Sequence, residues 1–67
     1  MKLNEVKGRG AQLELGYEEL IVLNAALNEI CNGIDVFEFE TRIGASRAVA
    51  EQMMAEIQMV LDQIQNR

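Results

Sequence analysis

Apolar positions recur at two different intervals along this chain, and the change of interval divides it. Gln12-Leu13-Glu14-Leu15 alternates polar and apolar, which predicts a short, half-buried strand. Residues 2–7 lie on the other side of Gly8-Arg9-Gly10 and are placed to pair with it as a hairpin. Otherwise residues 1–11 read as an irregular, flexible arm. From Leu20 onward the interval lengthens: Leu20, Leu23, Leu27, Ile30 and Cys31 fall on one face at helical spacing. This predicts a helix over Tyr17–Cys31, with Gly16 as its N-cap and Glu18 and Glu19 where the helix dipole favours acids. Gly33 is expected to end it in the left-handed conformation.

A second, short helix is predicted over Val36–Ile43. Asp35 and Glu38 have capping-box spacing, and Ile34 and Phe39 stand at the positions of a hydrophobic staple. Gly44 ends this helix and Ser46 caps a third, which runs to about Gln65. Its apolar stripe contains Ala50, Met53, Ile57, Val60 and Ile64 at alternating steps of three and four, the spacing of a helix–helix seam. The fold class expected is therefore mainly α: a small three-helix domain, long–short–long, preceded by a short N-terminal β-strand or arm. Residues 1–11 form the arm or hairpin strand and 12–67 a single helical domain. Helices one and three pack antiparallel with helix two as a corner. Helix three is the longer, so its C-terminal end, Val60, Leu61 and Ile64, is expected to overhang.

Sixty-seven residues allow one small core, and a chain this short buries only about 60% of its unfolded surface. One Cys provides neither an internal disulfide nor a four-ligand zinc site, so extra burial has to come from association, and a homodimer is expected. No apolar run approaches the roughly 18 residues of a membrane span, and the N-terminus lacks the apolar stretch of a signal peptide. The expectation is a cytoplasmic location with no membrane partner. Charge is unevenly placed. Three basic residues against one acid leave residues 1–9 at +2, whereas three against ten leave the remainder at −7. An acidic body repels nucleic acid and favours a basic protein partner.

Catalytic chemistry is poorly supplied. The chain has no His, the commonest general base and metal ligand. Its one Ser, Ser46, is explained as a helix cap, and Cys31 as a small buried hydrophobe with no basic neighbour to lower its pKa. Asp35, Glu38 and Glu40 cluster around the second helix, but starting from Asp35 a calcium loop would need oxygen ligands where Phe37 and Phe39 stand. No catalytic, cofactor-binding or metal residue is therefore assigned, and the chain is expected not to be an enzyme.

Residues 39–50, with Ile43-Gly44-Ala45-Ser46-Arg47 at their centre, resemble a DNA-binding helix-turn-helix. That resemblance implies phosphate contacts by Arg42 and Arg47, with the Lys2, Lys7 and Arg9 arm in support. It departs at Glu40, where the motif wants a small residue, and in the acidic Glu51 and Glu56 on its second helix. The stretch Leu23–Gly33 followed by Phe39–Gly44 also resembles a group of short bacterial helical proteins of unassigned function. It implies a small helical bacterial protein and no activity.

The leading functional expectation is a non-enzymatic protein-interaction module, an adaptor, regulator or inhibitor. Its candidate interface is Tyr17, Ile21, Asn24 and Asn28 on the flank of helix one, with Phe37, Met59, Val60, Leu61 and Ile64. A helix-turn-helix-like DNA-binding regulator using residues 39–52 is the alternative. A carboxylate-based metal site or enzyme around Asp35, Glu38 and Glu40 is the third reading.

Overall fold

The computed structural model describes residues 1–67 and begins with an antiparallel β-ribbon, β1 (Lys2–Lys7) and β2 (Gly10–Glu14). The arm is thus an ordered hairpin, and its second strand starts two residues before the alternating segment. Gly8, at φ +60°, takes the first corner of the two-residue turn, where an L side chain would be strained. Leu3 pairs with Leu13 and Val6 with Ala11 on one face, and Lys2 with Glu14 and Glu5 with Gln12 on the other. Asn4 is the extra residue of a bulge that keeps Leu3 and Val6 on the same side. No helix packs broadly on the ribbon, and every residue of both strands is exposed.

Helix α1 (Tyr17–Asn28) starts as expected at Gly16, whose amide donates to Glu19 Oε1 at 3.0 Å. Its end departs from expectation. The helix widens into a π-turn, Glu29–Gly33, and the Ile34 amide reaches back five residues to the Glu29 carbonyl at 2.9 Å. Gly33 is not left-handed. It is crowded by the Glu29 side chain, whose Oε2 lies 2.5 Å from where a Cβ would stand.

The second helix is also shorter than its sequence suggests: α2 covers only Phe39–Ile43. Neither the Asp35–Glu38 capping box nor the Ile34–Phe39 staple initiates it, because Glu38 itself is the N-cap and sits left-handed at φ 53°. Gly44 ends α2 at φ +91°, its amide donating to the Glu40 carbonyl. Ser46 then caps α3 (Arg47–Gln65), its Oγ accepting from the Val49 amide at 3.2 Å.

α1 and α3 pack antiparallel, in a register fixed by three side-chain bonds. Gln65 Nε2 donates to the Tyr17 hydroxyl at 2.8 Å, Asn24 Nδ2 to Gln58 Oε1 at 2.9 Å, and an Arg47 guanidinium N–H to the Cys31 carbonyl. Because Tyr17 reaches Gln65, the C-terminal end of α3 does not overhang. Leu61 is core, alongside Leu20, Cys31 and Ala50, the four buried residues of the chain. Ile64 is half-buried, and Val60 alone of the expected overhang remains exposed.

Candidate functional site

Two concave surfaces flank the α1/α3 contact, one on either side of the helix pair. The first is a groove of about 490 Å³ between the helices, walled by Ile21, Asn24 and Asn28 from α1 and by Glu51, Met54, Ala55 and Gln58 from α3, with the buried Leu61 beneath. Three of the residues singled out on the flank of helix one, Ile21, Asn24 and Asn28, therefore come together here. Helical phase explains it: they lie within about 60° of each other at about 100° per residue.

Amides run along this groove. Asn24 passes its Nδ2 hydrogen to Gln58, and Gln58 passes one to Asp62 Oδ1 at 3.0 Å. One turn on, Asn32 Nδ2 donates to Asn28 Oδ1 at 3.0 Å. Asn24 Oδ1 is buried with no hydrogen-bond partner. An unmade bond at a buried acceptor costs about 1–3 kcal/mol, so Asn24 carries a local stability cost beside the groove. Glu51 gives the α3 wall a negative charge, and Asp62 lies beside the wall, bonded to Gln58.

The second concavity lies at the far end of the pair, lined by Tyr17, Val60, Gln63, Ile64 and Arg67. Tyr17, Val60 and Ile64 of the candidate interface meet there. Phe37 and Met59 join neither surface. Phe37 projects from the loop before α2 with 75% of its area exposed, and Met59 stands on the outer side of α3. Leu61 forms part of the core, because α1 reaches far enough along α3 to cover it.

The two candidate phosphate contacts separate as well. Arg42 is exposed on α2. Arg47 turns inward, with its guanidinium 4.6 Å above the Phe39 ring and bonded to the Cys31 carbonyl. It joins the π-turn, α2 and the start of α3. Cys31 is buried as a small hydrophobe, and no group of three or more Cys, Asp or Glu side chains converges in the arrangement of a metal site. No helix is long and apolar enough to cross a membrane.

Gln58 and Glu51 belong to the groove but were not candidates from the sequence. Both are polar residues on an otherwise solvated helix face, and only the antiparallel register places them opposite the asparagines. No protein-family model, characterised protein or solved structure matches this chain.

Proposed function

We propose that the chain is a non-enzymatic protein-interaction module whose foreign partner presents a basic segment to the α1/α3 groove. The observation that carries this reading is the groove itself: an apolar floor at Leu61, apolar walls at Ile21 and Met54, and the Glu51 carboxylate on its α3 side with Asp62 beside it. A basic side chain laid along the groove packs its stem on the apolar floor while its charge meets the carboxylates. The net charge of −5 draws such a partner in from a distance. The only Ser caps α3 and the only Cys is buried, so neither is presented as a nucleophile.

Capture from a cell extract tests the reading, with the tag at the C-terminus so that the amino group of Met1 keeps its contact with Glu19. One reproducible partner is expected, released as salt rises and lost when Ile21 on the groove wall becomes Lys. Recovery of nothing except the chain itself overturns the reading. So does a partner captured equally well by Ile21→Lys.

A further inference from the structure

The face of the helix pair opposite the groove has no cover. Val49, Met53, Val60 and Ile64 fall within about 60° of one another on α3, with Ile57 at their edge. Leu23 of α1 stands level with Val60 in the register set by the Asn24–Gln58 bond. Val49, Met53 and Val60 are each close to half exposed. Between Val49 and Ile64 the only charge on this side of α3 is Glu56, at its border.

The exposed area shows how much cover the chain lacks. The chain exposes 5411 Å², against about 4,200 Å² for a compact folded monomer of its 7.5 kDa mass. The excess, about 1,200 Å² over this seam and the uncovered ribbon together, exceeds the roughly 800 Å² each partner contributes to an ordinary stable interface. Its radius of gyration is 13.4 Å, where a compact chain of this length has about 11 Å. The molecule measures 36 × 32 × 16 Å, so it is one layer of helices where a stable domain has two.

We infer that a second copy of this chain supplies the missing layer, seam against seam, giving a two-fold symmetric arrangement of four long helices. The inference rests on the interaction-module reading and names the partner for its other face. Charge favours a copy over a foreign protein here. Two chains of −5 repel, so they meet through the face poorest in carboxylates, while a basic partner is drawn to the groove lined by Glu51, with Asp62 beside it. Apolar, charge-poor surface is also the mark of homodimer interfaces.

Sedimentation equilibrium of the full chain at micromolar concentration tests this. The expected mass is twice 7.5 kDa. Val60→Lys should weaken association at least about tenfold, and Met59→Lys, on another side of the same helix, should leave it unchanged. If Val60→Lys abolishes helical circular dichroism, Val60→Ala replaces it. The wild-type melting temperature should then rise with protein concentration, and Val60→Ala should lower it most in dilute solution. A cooperatively melting monomer, a trimer or larger species, or equal effects of the Val60 and Met59 variants overturns the inference. A monomer that still captures a basic partner overturns self-pairing alone, and a dimer that captures none overturns the groove reading alone.

Discussion

Single side chains set much of the geometry. Arg47 closes a contact between segments sixteen residues apart, satisfying the Cys31 carbonyl where the π-turn disrupts the regular ladder and covering the Phe39 ring. Arg47→Ala should lower unfolding stability by about 1–2 kcal/mol in urea, with Arg47→Lys recovering only part of it because a single ammonium cannot lie flat on the ring while reaching the carbonyl. Asn24 presents the opposite balance. Its orphan acceptor predicts that Asn24→Leu raises stability by about 1 kcal/mol, read by urea unfolding. Glu19 supplies a pH dependence. Its carboxyl is held below the ordinary 4.5, first by the hydrogen bond from the Met1 ammonium at 2.5 Å and then by the Gly16 amide. A lowered folded pKa stabilises fully above the ordinary glutamate value, and that contribution is lost as pH falls through the lowered one. Between pH 7 and pH 3 the melting temperature of wild type should therefore fall further than that of Glu19→Gln. Of these three roles, only a first-turn acid at Glu19 was legible in the sequence. The others depend on residues brought together from opposite ends of the helix pair.

Among the elements, those governed by local chemistry were the readable ones. Ser46 caps α3 three residues before the amide it accepts from, and Gly44 ends α2 left-handed, both as their neighbours in sequence require. Gly44→Ala should accordingly cost about 1 kcal/mol or more, whereas Gly33→Ala should cost little, since the group it meets is the movable end of Glu29. The second helix misled because its capping signals are also local and lost to a left-handed Glu38. Glu38→Asn, which tolerates that conformation, should raise stability by about 0.5 kcal/mol in thermal or urea unfolding. The ribbon was visible in its alternation, though its bulge at Asn4 was not, because only pairing defines an extra residue. Since no helix covers it, its amides should exchange with solvent faster than those of α1 and α3, as hydrogen-exchange mass spectrometry will resolve.

At the scale of the whole molecule, the sequence conveyed the need for extra burial but not where the deficit lies. A wide apolar stripe at Val49, Ala50, Met53, Met54, Ile57, Val60, Leu61 and Ile64 reads the same whether it faces α1 or another subunit. Folding divides it: Ala50 and Leu61 turn to α1, while Val49, Met53 and Val60 turn away. The expected overhang vanished for a related reason, because side-chain bonds from Tyr17 to Gln65 and from Arg47 to Cys31 make the two long elements coextensive once the π-turn is included. That π-turn has a consequence for the length of the chain. A π-turn holds one residue more than the α-helical path it replaces, so the segment Glu29–Gly33 carries one residue of slack. A homologue lacking one position here would run α1 on as regular helix and turn the carbonyls at its end by about 100° about the helix axis, the non-helical residues 34–38 taking up the change beyond. Arg47 would then lose the carbonyl it holds, one of the three bonds that join the two long elements, while the Asn24–Gln58 and Tyr17–Gln65 bonds have their α1 ends upstream of the change. A single residue gained or lost at this point is therefore felt first at the start of α3, through Arg47, before it reaches the helix pair itself.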